Sequence, residues 1–135
     1  MKSLLRVIDA NLNRSREGLR VCEDLARLVM NHPKFSKSLK QLRHDINTAS
    51  MKMPFRLKDL TVARDSAHDI GKKSSIRDER VMSWKSLMKS NLKRAEESLR
   101  VLEECSKIVS PATVKVFQKV RFEVYELEKQ IIKEI

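Results

Sequence analysis

The sequence predicts an all-α protein, a helical bundle made of a duplicated helical hairpin whose two halves are joined by a polar loop. The 135 residues include only two glycines and three prolines, and leucine, lysine, glutamate and arginine are abundant, which favours helix. A second observation is an internal repeat, because residues 11–29 and 91–109 agree at nine of nineteen positions. A chain of this length is expected to form one domain, 1–135.

The repeat also predicts how the bundle is arranged. Its identical positions are Asn11/Asn91, Leu12/Leu92, Arg14/Arg94, Glu17/Glu97, Leu19/Leu99, Arg20/Arg100, Val21/Val101, Glu23/Glu103 and Val29/Val109. With two residues dropped from the connecting loop, the match extends to Pro33/Pro111 and to Leu42-Arg43/Val120-Arg121. Two such halves imply a pseudo-two-fold axis, and polar residues kept in both halves are expected to face each other across a shared seam.

Breaks in the pattern set the elements of the first half. A first helix is predicted over about 4–30, ended by Asn31-His32-Pro33. A second runs over about 34–52 and stops before Pro54, because the residue preceding proline disfavours the helical conformation. A short helix is expected at about 56–63.

The second half follows a linker over about 53–79. Within it, residues 64–78 form the least periodic segment of the chain and predict a polar loop. A long helix is predicted over about 79–109. Ser110-Pro111 then begins the last helix, at about 111–133, with Ser110 as N-cap and proline in the first helical position. The pseudo-repeats are therefore about 1–52 and 80–135.

Charge and composition limit the classes of function. The formal net charge is +11, which attracts nucleic acid, anionic lipid and phosphorylated metabolites alike. Aromatic residues make up only 4%, so base-stacking platforms are not expected. No apolar run spans a bilayer, and no signal peptide is recognised. The two cysteines lack metal-ligand spacing and predict reduced core thiols in a cytoplasmic protein. Phosphate-binding glycine loops, dinucleotide fingerprints, nucleophile motifs and zinc patterns are absent.

Polar residues interrupt the apolar face of both repeated helices. On a helical wheel of about 100° per residue, the interrupting residues are Asn11, Arg14 and Gly18 in the first half and Asn91, Arg94 and Ser98 in the second. A buried arginine needs an anion to offset its desolvation. Arg14 and Arg94 are therefore expected either to bind ligand phosphates or to pair with Glu97 and Glu17 across the axis.

Gly18 also needs a reason, because a glycine inside a helix costs about 1 kcal/mol relative to alanine. Close approach of a ligand is one reason, and tight helix packing is the other. The wheel places Arg20, Glu23 and Arg27 on the opposite, solvent side, where ion pairs at helical spacing explain them.

The linker carries a second signal. Arg64-Asp65 and Asp69-x-Gly71 place an arginine and two carboxylates around a glycine. Two aspartates four residues apart suit a hard divalent cation shared with phosphate oxygens and water. The alternative is a capped turn with solvated charges, with His68 as a bystander. On the second predicted helix, His44 is either a partly buried histidine or a substrate contact.

The chain resembles a known family at several of these places. The first string is Ile8-Asp9-Ala10-Asn11-Leu12-Asn13-Arg14-x-x-Glu17-Gly18-Leu19-Arg20-Val21-x-Glu23-Asp24, and the second is Asn91-Leu92-Lys93-Arg94-Ala95-x-Glu97-x-Leu99-Arg100-Val101-Leu102-Glu103-Glu104. Leu42-Arg43-His44, Arg64-Asp65-x-x-x-Asp69-x-Gly71 and Arg121-x-x-x-Tyr125-x-Leu127-Glu128 also fit. Together they resemble the small helical domain often fused ahead of thiamin phosphate synthase. That family is a second type of hydroxymethylpyrimidine phosphate kinase, unrelated to the first type of enzyme with this activity.

The resemblance implies an activity. It implies ATP-dependent phosphorylation of 4-amino-5-hydroxymethyl-2-methylpyrimidine phosphate to the diphosphate, which the synthase condenses with a thiazole phosphate in thiamin biosynthesis. This chain would be a stand-alone member and monofunctional, since it is too short and too uniformly helical for the synthase barrel. ATP and Mg²⁺ are the expected cofactors, and a functional link to thiamin phosphate synthase is the expected partnership.

Roles for the candidate residues follow as hypotheses. Arg14 and Arg94 would clamp the phosphates, and Asn11 and Asn91 would orient a phosphate or bind the aminopyrimidine edge. Asp65 and Asp69 would hold Mg²⁺, with Asp65 and Arg64 at the transferring group. The remaining candidate substrate contacts are Glu17, Gly18, Arg43 and His44.

Two readings compete with the kinase. A basic helical nucleic-acid-binding protein would account for the charge, but its positive residues alternate with 18 acidic ones, so nucleic acid is not the expected partner. A protein-interaction module without catalysis would leave the polar residues of the seam without a purpose. The wide apolar faces are also compatible with a homodimer.

Overall fold

The computed structural model describes residues 1–73 and 83–135, and within these ranges it contains helices and no strands, which confirms the all-α class. Its long helices are α1 (Lys2–Asp24), α2 (Pro33–Met51), α4 (Trp84–Val109) and α5 (Val114–Glu134), and the short helix α3 is Leu57–Ala63. Three single turns accompany them: a π-helical turn at Leu25–Val29 and 3₁₀ turns at Ile70–Lys73 and Pro111–Thr113.

The α1–α2 connection forms where the sequence predicted it. Asn31 adopts a left-handed conformation with φ of 51°, which an asparagine tolerates better than most residues. The Nδ1 atom of His32 then accepts a hydrogen bond from the backbone N–H of Phe35 at 3.1 Å. Pro33 occupies the first turn of α2, where its missing N–H costs nothing. The predicted start of the second helix is confirmed, whereas α1 itself ends at Asp24 and the π-helical turn Leu25–Val29 continues the helical backbone to the predicted break.

Two predicted helix starts need correction. Ser83 has extended backbone angles, and its hydroxyl accepts from the N–H of Ser86 at 3.1 Å. This cap begins α4 at Trp84, whereas the predicted start at 79 lies outside the described residues. Ser110 takes the N-cap position before Pro111, but its hydroxyl makes no capping hydrogen bond. A 3₁₀ turn intervenes, and α5 begins only at Val114.

Helices α1 and α4 form the centre of the bundle and run antiparallel. The Sγ atom of Cys22 lies 3.7 Å from the carbonyl of Met88, and Gly18, earlier in α1, packs on Asn91, later in α4. Helix α2 packs on α1, α5 packs on α4, and α2 and α5 meet on the same bundle. Both cysteines are buried and free, as predicted for core thiols. Burial raises the pKa of Cys22 to about 12, so this thiol stays protonated and unreactive.

A buried ion pair joins the two helices of each hairpin. Arg43 of α2 donates to Glu23 of α1 through Nε at 3.1 Å and Nη2 at 2.9 Å. In the second half, Arg121 of α5 donates to both carboxylate oxygens of Glu103 of α4. Glu23 is therefore buried against α2, and its predicted place on the solvent side is wrong. Its partner lies twenty residues away, which a wheel drawn for one helix does not show.

Candidate functional site

The repeated asparagines are satisfied within their own helices. The Nδ2 atom of Asn11 donates to the carbonyl of Val7 at 2.8 Å, and that of Asn91 donates to Leu87 at 2.9 Å. The same hydrogen bond, from the side-chain amide to the carbonyl four residues earlier, therefore occurs in both halves. Neither asparagine lines the cleft described below, which makes the repeated amides structural features of the α1–α4 pair.

Arg14 and Arg94 are exposed, so the prediction that they interrupt the buried face is wrong. Each lies at the edge of the apolar arc, and a long arginine stem carries the guanidinium from such a position into water. Glu17 and Glu97 are exposed as well. Within residues 1–73 and 83–135, none of these four forms an ion pair. The alternative of salt bridges across the axis is therefore not observed either.

Gly18 allows α1 and α4 to cross closely. A Cβ atom at this position would lie 2.9 Å from the carbonyl oxygen of Asn91 and 3.5 Å from the nitrogen of Ala95. The first distance is shorter than side-chain carbons tolerate, and backbone cannot easily give way. Tight helix packing, one of the two predicted reasons, accounts for this glycine. The space beside it is filled by α4, which leaves no room there for the predicted substrate contact.

The linker is anchored to α1 by a buried carboxylate. Arg64 donates to Asp9 through Nε at 2.7 Å and Nη2 at 2.8 Å. Asp9 is only 5% exposed, whereas the arginine reaches solvent. The hydrogen bonds that Arg64 donates to Asp9 raise the pKa of Arg64 further. This bidentate pair sets the position of the chain that follows Arg64.

Two adjoining cavities lie between this loop and α1, and we call them together the linker cleft. One has a volume of about 180 Å³ and is lined by Arg6, Asp9, Ala10, Asn13, Arg64, Asp65, Ser66 and Asp69. The other has a volume of about 610 Å³ and is lined by Arg14, Ser66, Ala67, Asp69, Gly71 and Lys72. The two share Ser66 and Asp69. Four cationic side chains and two exposed carboxylates therefore meet in one place.

The two linker carboxylates have local partners. Asp65 accepts from the backbone N–H of His68 at 3.2 Å and lies 2.9 Å from its Nδ1 atom. His68, predicted as a bystander, thus holds this carboxylate. The Oδ1 atom of Asp69 accepts from the N–H of Gly71 at 2.8 Å. Such bonds order the turn and leave each carboxylate further lone pairs.

The cleft fits a magnesium ion only with help from a ligand. In the part of the chain that the structure describes, no group of three or more His, Cys, Asp or Glu side chains is placed to hold a metal. Mg²⁺ is ordinarily bound through one or two carboxylates together with substrate phosphates and water. Asp65 and Asp69 line the same cavity and match that donor set.

Sequence reasoning missed several residues of the cleft. Asp9 and Asn13 are linked at 3.5 Å, and Asn13 accepts from Nη2 of Arg16 at 3.0 Å. Arg6 and Lys72 also line the cleft. A signal was available in the repeat, because Asp9 and Asn13 correspond to Lys89 and Lys93 eighty residues later. Of the α1 residues that line the cleft, Arg14 alone keeps the same residue at the equivalent position of the second half.

Other predicted site residues lie outside the cleft. Arg43 is held by Glu23, which explains its presence without a substrate. His44 is exposed on α2, which contradicts the alternative of a partly buried histidine, and it lines neither cavity of the cleft. Arg94 and Glu17 likewise line neither cavity. Arg14, Arg64, Asp65 and Asp69 are the predicted residues that the structure brings together.

The fold and the cleft define a class of protein: a small helical bundle with a cation-lined, carboxylate-bearing cleft. The chain belongs to the ThiD2 family, whose sequence profile matches residues 6–130. Across 1–73 and 83–135, no helix is both long enough and apolar enough to cross a membrane.

Curated relatives are longer proteins. The thiamine-phosphate synthase of Synechocystis sp. is 36% identical over 131 residues, which are 96% of this chain and 36% of that protein. The thiamine-phosphate synthase of Nostoc punctiforme is 38% identical over 128 residues, 94% of this chain and 35% of that protein. The chain thus spans about a third of the length of these relatives. No solved structure matches it.

Proposed function

We propose that this protein is an ATP-dependent kinase of thiamin biosynthesis, which converts 4-amino-5-hydroxymethyl-2-methylpyrimidine phosphate to its diphosphate. The observation that carries the proposal is the linker cleft, where Arg6, Arg14, Arg64 and Lys72 surround Asp65 and Asp69. The relatives named thiamine-phosphate synthase support the link to this pathway. The product would be the diphosphate substrate of such a synthase.

The chemistry of the transfer suits a cleft of cations. A phosphate oxygen of the substrate forms a bond to the γ-phosphorus of ATP, the bond from that phosphorus to the β–γ bridging oxygen breaks, and ADP leaves with the electron pair. The attacking oxygen is already anionic near neutral pH, since phosphate monoesters have a second pKa of about 6. No general base is required, and positioning with charge neutralisation supplies the catalysis.

Each cleft residue has a place in this scheme. Arg14 and Lys72 line the larger cavity and would hold the phosphates of the two reactants against their mutual repulsion. Arg64, fixed by Asp9, would direct its remaining N–H donors at the transferring group. Asp65 and Asp69 would hold Mg²⁺, which supplies additional neutralisation of the phosphate oxygens when bound.

The same scheme predicts selectivity for the phosphorylated substrate. An alcohol substrate would need a base to remove its proton, and it would leave cleft cations without an anion. A site that is built to bind a charged group strongly rejects an analogue that lacks this group. The protein should therefore ignore the unphosphorylated hydroxymethylpyrimidine.

A coupled ADP-release assay with ATP and Mg²⁺ tests the function directly. Turnover with the pyrimidine phosphate and none with the free alcohol supports both the kinase and the role of the cations. Turnover with both would keep the kinase and remove the phosphate-recognition argument. If folded protein turns over neither compound, the kinase proposal fails, and a binding module without catalysis becomes the better account.

A further inference from the structure

A third cavity lies beside the amino-terminal end of α3, about 590 Å³ in volume, and we call it the α3 pocket. Its lining is mostly apolar, with an aromatic ring among the side chains, and it carries an amide and two guanidinium groups. Six of the lining residues are Arg16, Asn47, Phe55, Arg56, Leu57 and Leu60. An apolar cavity with few polar groups is the usual form of a site for a small organic ligand.

The orientation of the Asn47 amide is fixed by an arginine. Arg16 donates from Nη1 to the Oδ1 atom of Asn47 at 2.9 Å, and an arginine can only donate. The amide oxygen must therefore face Arg16. The Nδ2 group of Asn47 makes no hydrogen bond to any residue of 1–73 or 83–135. The oxygen keeps a second lone pair, so this amide can both donate and accept at an incoming ligand.

The same arginine connects the α3 pocket with the linker cleft. The second terminal nitrogen of Arg16, Nη2, donates at 3.0 Å to the Oδ1 atom of Asn13, which lines the cleft. Along α1, Asp9 and Arg16 are seven positions apart, which corresponds to about 10 Å. A nucleoside triphosphate is long enough to cover this distance between its base and its terminal phosphate. The pyrimidine phosphate is shorter, because a single methylene-oxygen link joins its ring to its phosphate.

We propose that the α3 pocket binds the adenine base of the nucleotide that delivers its phosphates to the linker cleft, an inference that rests on the proposed kinase function. The Nδ2 group of Asn47 donates to a ring nitrogen, its Oδ1 atom accepts from the exocyclic amine, and Phe55 packs on the ring. This two-point contact is the one asparagine makes with adenine in nucleic-acid recognition. Guanine presents a carbonyl where adenine has its amine, and the pocket excludes it.

The aminopyrimidine ring of the proposed substrate is the alternative ligand of the α3 pocket, because it also carries an amine beside a ring nitrogen. The experiment must therefore separate nucleotide from pyrimidine. Asn47→Asp keeps an acceptor for Arg16 and removes both N–H donors at nearly constant volume. Thr48→Ala is the matched control, since Thr48 is exposed on the same helix and lines no part of the α3 pocket.

Isothermal titration with ADP, GDP and adenosine tests the inference without turnover. Wild-type protein should bind ADP at least tenfold more tightly than GDP and should also bind adenosine. Asn47→Asp should weaken ADP and adenosine binding by tenfold or more, while Thr48→Ala stays within twofold of wild type. Equal affinity for ADP and GDP, or an Asn47→Asp variant that binds like wild type, would overturn the proposal.

Steady-state kinetics identify which ring enters the α3 pocket. In Asn47→Asp, KM for ATP should rise at least tenfold, with KM for the pyrimidine phosphate unchanged. A rise in the pyrimidine KM alone would assign the pocket to the substrate and overturn the adenine assignment. If Asn47→Asp fails to fold, Leu57→Trp, placed at an exposed rim residue, fills the pocket and should weaken ADP binding. Adenosine binding without kinase turnover would refute the proposed function and the delivery of phosphates to the linker cleft, but it would support the assignment of adenine to the α3 pocket.

Discussion

The two halves of the duplication keep the same architecture and differ at every α1 residue of the linker cleft except Arg14. Both tie their hairpin with a buried ion pair, Glu23 with Arg43 and Glu103 with Arg121. Both bond an asparagine to the preceding turn of its helix. These polar pairs, kept in both copies, hold the bundle together. Most α1 residues of the linker cleft differ from their equivalents in α4, so the chemistry is to be sought mainly where the halves differ.

The differences fall on one stripe of the central helices. Asp9, Asn13 and Arg16 of α1 correspond by the repeat to Lys89, Lys93 and Glu96 of α4. In the first half this stripe anchors the linker and borders both the linker cleft and the α3 pocket. In the second half Lys93 donates to Glu96 and to Glu128, each at 3.0 Å. In both copies these polar groups bond to one another, and in the first half they also border the two cavities.

The largest expected effect on turnover comes from replacing Asp9 of the first half with lysine, the residue at the equivalent position of the second half. Asp9→Lys replaces the carboxylate under Arg64 with a cation and releases the linker from α1. Displacing catalytic groups by about 1 Å costs about a hundredfold, and here a whole segment is released, so turnover should fall by roughly a thousandfold or more. The ADP-release assay measures it. The converse change, Lys89→Asp, alters an exposed residue and should leave turnover within twofold; a comparable loss there would contradict the asymmetric site.

The next effect compares the two buried ion pairs. Glu103→Gln leaves Arg121 charged in a site where both side chains are less than a tenth exposed, and breaking such a pair costs about 3–5 kcal/mol. Glu23→Gln should cost less, about 1–2 kcal/mol, because a quarter of the Arg43 side chain reaches solvent. Urea unfolding of the two variants measures both. Equal losses would show that the pairs do not differ in the way their burial indicates.

A third comparison uses the repeated arginines. Arg14 lines the linker cleft and Arg94 does not, although both are exposed and occupy equivalent positions. Arg14→Ala should lower kcat/KM about a hundredfold, which is about 2.7 kcal/mol of transition-state stabilisation. Arg94→Ala should change it less than threefold. Neither should alter the unfolding midpoint. Similar kinetic losses in the two variants would mean that the site spans both halves.

The helices could be predicted from the sequence, whereas the assembly of the cleft could not. Breaks such as Asn31 and Pro54 act locally, so the helix ends they cause could be predicted, and the repeat showed which helices form hairpins. The Asp9–Arg64 pair joins residues 55 positions apart, and one sequence contains no information on that contact. Repetition suggested that Arg14 and Arg94 share one role. The structure separates them because the linker, present once, lies against α1.

The smallest effect concerns the polar cluster of the second half and its dependence on pH. Glu96 of α4 is 3% exposed, and its Oε2 atom has no hydrogen-bond partner among the described residues. Burial, followed by the neighbouring Glu128 of α5, raises the pKa of Glu96 to about 7. Lys93 opposes this shift, and its own pKa is raised by bonds to both glutamates. Cys22, which faces the cluster from α1, stays a neutral thiol.

The direction of the pH effect follows from this raised pKa. Between pH 4.5, the ordinary value, and about 7, the folded protein holds a proton that the unfolded chain has lost. The stability from protonated Glu96 is therefore complete below pH 4.5 and is lost as the pH rises through about 7. Glu96→Gln, permanently neutral, should exceed wild type by roughly 1 kcal/mol at pH 8 and match it at pH 4.5. Denaturant unfolding at the two pH values measures the difference, with the exposed Glu97→Gln as a control. If the two proteins differ by the same free energy of unfolding at both pH values, the raised pKa belongs to another group. If their free energies of unfolding converge at low pH, the second half retains the Glu96 carboxylate at a cost in stability.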